Sequence, residues 1–160
     1  MLELDCGEGH LCRLLSGHGY TVTGIDISPI AILWALKKNT QHSDVVNYIC
    51  GDFSQEMFFS FDMIVDGNYL HCIPGEFRQS FLENFSICLT ERGVFFVSSL
   101  CSQNSNVQII HRNGLAYRYI PSVEGLKSEL EQSGFIILAL QVHPRSEYDH
   151  INLLVKRRPG

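Results

Sequence analysis

The chain has 160 residues, enough for one domain with a full core. An apolar fraction of 45% is ordinary for a globular chain and excludes a disordered one. Lys and Arg number 12 against 17 Asp and Glu, so the formal charge of −5 gives no general attraction to nucleic acid or to an anionic membrane.

Met1 to Leu4 reads as a first strand, followed by the turn Asp5-Cys6-Gly7-Glu8-Gly9. Gly9 to Ser16 is predicted to be a helix with Leu11, Leu14 and Leu15 on one face. Tyr20 to Ile25 is a β-branched second strand ending at Asp26. Ser28-Pro29 supplies a cap and a first-turn proline for a helix to about Lys38, with Ile30, Leu33, Trp34 and Lys37 predicted on its inner face. Val45 to Cys50 is a third strand, Ser54 to Phe59 a loop or short turn, and Phe61 to Val65 a fourth strand.

Phe77, Phe81, Phe85 and Leu89 recur every four residues, which predicts a helix over about 75–90 with this stripe in the core and Glu91-Arg92-Gly93 as its stop. Val94 to Leu100 reads as a strand buried on both faces. His111 to Ile120 is expected to be a loop with a short strand at most. Pro121-Ser122 opens a helix with Val123, Leu126 and Leu130 inward and Gly134 at its end. Phe135 to Val142 and Ile151 to Val155 are strands joined without a helix, so the last must run antiparallel to its neighbour. Lys156-Arg157-Arg158 is expected to trail off as a tail. The sum is an α/β fold, a doubly wound and mostly parallel sheet with helices on both faces and a C-terminal antiparallel hairpin.

No apolar run reaches the roughly 18 residues of a membrane span, and Met1 to Asp5 carries no basic leader, so a cytoplasmic location is expected. The cysteines Cys6, Cys12, Cys50, Cys72, Cys88 and Cys101 form no C-x-x-C pair and read as reduced, with no metal site.

The chemistry centres on the glycine turn. Gly7 and Gly9 open a helix whose backbone N–H groups face any ligand at that turn. An acid about 20 residues further on, Asp26, is placed to accept from two ribose hydroxyls. A nucleoside-containing cofactor at the strand ends is the resulting expectation.

With the terminal hairpin, this order of motifs resembles the class I S-adenosylmethionine-dependent methyltransferases over almost the whole chain. The matching residues are Glu3, Gly7 and Gly9 in the first motif, Asp26 after strand 2, Gly51-Asp52-Phe53 after strand 3, and the run Phe61-Asp62-Met63-Ile64-Val65-Asp66-Gly67-Asn68-Tyr69-Leu70-His71. The resemblance implies S-adenosylmethionine as cofactor and S-adenosylhomocysteine as product. It implies that the backbone at Asp5, Cys6 and Gly7 meets the methionine part, with Glu3 helping to fix that end. Asp26 would hold the ribose, Ile27 and Phe53 would sandwich the adenine, and Asp52 would accept from its amino group or merely end a strand. Asp66 would lie beside the sulfonium. His71 is a general base on the acceptor or a wall residue. Arg112, Arg118 and Tyr119 lie in the loop after strand 5, where relatives of the family often bind substrate; they read as a solvated loop before an anion-binding one.

The family's first glycine is Asp5 here; its side chain either crowds the cofactor or swings aside to accept from its ammonium. No covering helix precedes strand 1 in this sequence: either that part lies outside it, or a partner chain such as a second copy supplies the cover, or the cleft is open. The implied activity is methyl transfer to a small-molecule acceptor. A silent binding or assembly relative is the alternative, and an NAD-dependent oxidoreductase is disfavoured because no third glycine follows Gly9 at G-x-G-x-x-G spacing.

Overall fold

The structure is a computed structural model and describes residues 1–40, 46–53 and 60–159. The loop expected over Ser54 to Phe59, and Val45 at the start of the third strand, lie outside the described residues. The strands are β1 (Leu2–Leu4), β2 (Val22–Asp26), β3 (Val46–Cys50), β4 (Phe61–Gly67), β5 (Leu89–Cys101), β6 (Gln108–Arg112), β7 (Leu115–Ile120), β8 (Phe135–His143) and β9 (Asp149–Arg157). The helices are α1 (His10–Gly17), α2 (Pro29–Asn39), α3 (Gly75–Cys88) and α4 (Val123–Gln132), with a 3₁₀ turn over Leu70–Cys72.

Seven strands form one sheet in the order β3-β2-β1-β4-β5-β9-β8, and β6 pairs with β7 apart from it. The first five of that order run parallel, while β9 is antiparallel to both β5 and β8. The expected mostly parallel sheet and closing hairpin are therefore present. β1 sits between β2 and β4 and is buried at every residue, which is why it can be short and nearly all apolar. The chain order reverses direction beside β1, so the carboxyl ends of β1, β2 and β4 frame a crevice.

Local signals set the helix starts. Ser28 Oγ accepts from Ala31 N at 3.3 Å with Pro29 in the first turn of α2, and Ser122 Oγ accepts from Gly125 N at 3.0 Å to start α4. Leu126 and Leu130 are fully buried under the sheet, as expected. One chain of rings crosses the core, with centroids of Phe53–Phe85 at 4.7 Å, Phe81–Phe85 at 4.4 Å, Phe85–Phe95 at 4.6 Å and Phe95–Phe135 at 6.0 Å.

Five expectations need correction. Ile30, Leu33 and Trp34 are 62%, 64% and 55% exposed, and α2 instead packs through Ile32 and Ala35. Nearly every residue from 30 to 36 is apolar, so periodicity does not choose a face there. The rotation of α2 is set by its short connection from β2. Phe77 lies outside the core at 57% exposure, although Phe81 and Phe85 are inside. Glu91-Arg92-Gly93 stops nothing, because α3 ends at Cys88 and β5 begins at Leu89 with no loop between. The region 108–120 is a hairpin, turned by Asn113 (φ 52°) and Gly114 (φ 79°). Asn-Gly is the residue pair for such a turn, a signal that the surrounding polar residues obscured. Lys156 and Arg157 are not a tail: they pair with Ile136 and Phe135 at the end of β9.

Candidate cofactor and acceptor site

Asp26 ties the strand ends together. Its side chain is almost fully buried, its Oδ2 accepts from Gly7 N at 2.8 Å and its Oδ1 from Ser28 N at 2.8 Å. Its own carbonyl accepts from Gly51 N at 3.0 Å. One residue thus joins the glycine turn, the start of α2 and the end of β3. Each carboxylate oxygen keeps a lone pair for a further donor.

The two glycines of the turn do different work. Gly7 has φ 56° and nothing within 4 Å of where a Cβ would stand, so its face is open to a ligand. Gly9 has φ 75°, but a Cβ there would strike the Tyr48 hydroxyl at 2.1 Å. Gly9 is required by the packing of β3 against the start of α1. The cysteine between β1 and this turn is also committed: Cys6 N donates to Ile25 O at 3.1 Å, and Cys6 O accepts from Gly9 N at 2.9 Å.

Asp5 holds φ 53°, the left-handed region that suits glycine. It remains open to solvent. The crevice walls and then the neighbouring Asp26 carboxylate push its carboxyl above the usual range. A crevice lined by Leu4, Asp5, Asp26, Ile27, Phe53 and Tyr69 lies over this pair. Ile27 is 63% exposed beside it. Phe53 is buried, stacks on Phe85 at 4.7 Å and lines the crevice. Asp52 lines a second groove with Tyr69, Ile73, Pro74 and Phe77.

Three residues of the expected site are turned inward. Glu3 is buried on the α1 side of β1, where its Oε2 accepts from the Cys12 thiol at 2.7 Å rather than reaching the methionine end. Burial pushes its carboxyl up. Asp66 is fully buried and caps the 3₁₀ turn, accepting from Tyr69 N at 2.6 Å and Leu70 N at 3.2 Å. Its side chain presents no surface to the crevice. Burial raises its pKa to about 7, against the pull of those two bonds. His71 is also buried, and its Nδ1 has no partner among the described residues. Burial first, then the charge of Arg118, lowers its pKa to about 4, so it is neutral at physiological pH.

The Asp66 shift has a sign. A carboxyl whose folded pKa is raised favours the folded state below its unfolded pKa of 3.8, and that contribution is lost as pH climbs to about 7. Asp66→Asn keeps an oxygen for the same two backbone donors. Urea melts of the variant are therefore expected to lose one component of the stability decline that wild type shows between about pH 4 and pH 7.

The other end of the cleft carries positive charge. β7 lies against the 3₁₀ turn and the start of α3, with the Tyr119 ring on Gly75 and Arg78 4.8 Å over that ring. His150 Nε2 lies 3.0 Å from Asn68 Oδ1 and 3.2 Å from Ser98 Oγ, closing the cleft beside β5 and β9. Among the described residues there is no cluster of side chains that would hold a metal. Tyr69 and Arg78 had no assigned role in the sequence; only their place after Asp66 marked them.

A family model described as a methyltransferase domain matches residues 2–95. The chain belongs to that family. It is 33% identical over 98 residues to an uncharacterized methyltransferase of Schizosaccharomyces pombe, covering 59% of this chain and 68% of that protein. It is 30% identical over 121 residues to the ubiquinone biosynthesis O-methyltransferase of Coxiella burnetii, covering 74% of this chain but only 47% of that enzyme. A solved S-adenosylmethionine-dependent methyltransferase from Clostridium acetobutylicum superposes with a TM-score of 0.81 at 19% identity, covering 99% of this chain and 83% of that one. A Burkholderia thailandensis N1-methyltransferase with S-adenosylhomocysteine bound gives 0.85 at 16% identity, over 99% and 70% of the two chains. The fold of this methyltransferase-family chain is thus the Rossmann-like one of those enzymes. These matches support the methyltransferase reading over the disfavoured oxidoreductase one. No helix of the described residues is long and apolar enough to cross a membrane.

Proposed function

We propose that this chain transfers a methyl group from S-adenosylmethionine to a small-molecule acceptor and releases S-adenosylhomocysteine. The observation that carries the reading is the buried Asp26 carboxylate, held by Gly7 N and Ser28 N at the floor of the crevice. It accepts from ribose hydroxyls with its geometry already fixed. The residues present fit the cofactor: Asp26 accepts from the sugar, Ile27 and Phe53 border the adenine, and Asp52 accepts from its amino group. The open face of Gly7 and the backbone at Asp5 serve the methionine end. When bound, the cofactor supplies a methyl already activated by its sulfonium, so the chain's task is orientation and exclusion of water. Neutral His71 takes the acceptor's proton on a ring nitrogen. Asp66 acts indirectly, by fixing the turn that carries His71. The Coxiella relative is by name an O-methyltransferase, which makes hydroxyl acceptors the first class to screen. Nucleic acid and membrane surfaces are not the partners that a charge of −5 suggests. A second copy of the chain is the partner that would cover the open crevice.

The test is calorimetric titration with S-adenosylhomocysteine, with NAD as control. Micromolar binding of the first and none of the second is expected. A folded chain that binds neither supports the silent reading, which the strained Asp5 favours. Asp5→Gly separates the two roles of that residue. Relief of a left-handed conformation costing about 1–2 kcal/mol, less the added freedom of an unfolded glycine, is expected to stabilise the chain by about 0.5–1 kcal/mol. Removing the carboxyl that crowds Asp26 is expected to tighten S-adenosylhomocysteine several-fold. Weaker binding by Asp5→Gly would show instead that Asp5 accepts from the ammonium.

A further inference from the structure

Two arginines of the cleft are held in opposite ways. Arg78 is buried and satisfied: its Nε and Nη2 donate to Glu129 Oε2 at 2.9 and 2.7 Å, and its Nη1 donates to Leu70 O at 2.6 Å. Arg118 has no carboxylate within 4.0 Å among the described residues. Its Nε is buried without a partner. Its best contacts are a 3.4 Å bond from Nη2 to the Tyr117 hydroxyl and a 5.1 Å stacking over that ring. A guanidinium kept half-buried with an orphaned N–H is costly unless an anion completes it.

The surroundings have the right size. Cys72, Pro74, Gly75, Tyr117, Arg118 and Tyr119 line a cavity of about 40 Å³. That is room for about three waters, or for one carboxylate. His71 precedes Cys72 in the 3₁₀ turn, and its buried Nδ1 likewise has no partner among the described residues. The charge pattern agrees: Asp5, Asp26 and Asp52 line the crevice and groove at the cofactor end, while Arg112 and Arg118 mark the hairpin end.

We propose that the cavity between the 3₁₀ turn and β7 is an anion subsite for the methyl acceptor, with Arg118 binding a carboxylate of a small organic acid. This rests on the methyltransferase reading above. Arg118 is a specificity residue: it selects acidic acceptors and holds them in register, in a cleft whose donor is itself a cation. Methyl transfer then forms one bond from the acceptor's nucleophile to the methyl carbon and breaks the sulfonium–methyl bond, and the acceptor's proton passes to His71.

The test uses benzoate and its neutral isostere benzamide as probes, titrated into the whole chain with and without saturating S-adenosylhomocysteine. Benzoate is expected to bind at least ten-fold more tightly than benzamide. Arg118→Gln is expected to remove that preference, Arg118→Lys to retain part of it, and the exposed Arg92→Gln to leave it unchanged. Equal binding of the two probes, or an unchanged preference in a folded Arg118→Gln, overturns the proposal. Absence of S-adenosylhomocysteine binding, read in the same cell, counts against the methyltransferase reading and leaves the anion result to stand or fall by itself.

Discussion

Asp26→Ala is expected to abolish binding of S-adenosylhomocysteine, with a loss of at least 100-fold, and to destabilise the chain in the same step. Two effects combine. The carboxylate would no longer be present to accept from the ribose. In addition, Gly7 N and Ser28 N, both donating to Asp26 at 2.8 Å, would lose their acceptor. Orphaning a buried donor costs about 1–3 kcal/mol, so about 2–4 kcal/mol of stability is at stake if the turn relaxes only in part. Asp26→Asn separates the effects: its single oxygen retains one of the two backbone bonds, so most of the fold's stability should return while affinity stays low. Urea melts beside calorimetry check both. Asp26→Ala with wild-type affinity would remove the ribose role entirely.

Arg78→Ala is expected to be the most damaging single change to stability, at about 3–5 kcal/mol. The guanidinium is 2% exposed. Its removal leaves the Glu129 carboxylate and the Leu70 carbonyl without their donor and the Tyr119 ring without its cation. The damage arises largely from the unpaired carboxylate. The double change Arg78→Met with Glu129→Gln, which removes both charges, is therefore expected to recover more than half of the loss. Because Arg78 bonds the 3₁₀ turn to α4 through Glu129, Arg78→Ala should also weaken acceptor binding more than cofactor binding. Equal urea midpoints for wild type and Arg78→Ala would contradict this account.

The parts of the fold visible in the sequence were those dictated by local chemistry. Ser28-Pro29 and Ser122 capped their helices where expected, and the missing crossover between Phe135–Val142 and Ile151–Val155 forced the antiparallel pair. The motif order brought Asp5, Asp26, Ile27 and Phe53 around one crevice, with Gly7 bonded to Asp26 beside it. Rotation and side-chain direction were not visible. The α2 run Ile30 to Leu36 is apolar on every side, so only the tertiary connection selected Ile32 and Ala35 as its inner residues. Glu3 alternates with Leu2 and Leu4 along β1, and the face it takes depends on which helix covers that side. Asp66 and His71 lie in the motif at the expected strand end, yet a carboxylate can cap a turn or face a ligand with the same spacing; here it caps. The Asn113-Gly114 turn was legible in principle, and its hairpin carries Arg118 to the cleft.

β9 follows β8 in the chain but lies between β8 and β5 in the sheet. The order of assembly follows. The β8–β9 hairpin is a local pairing that closes quickly, whereas β9 against β5 joins residues far apart in sequence and waits on loop closure. Among the described residues β8 has no other neighbour in the sheet, so it enters only as cargo of β9. A refolding chain should therefore acquire amide protection in β8 and β9 together, in the step that docks β9 on β5. Substitutions at the β5–β9 seam, such as Ile151→Val, should weaken that protection in both strands at once.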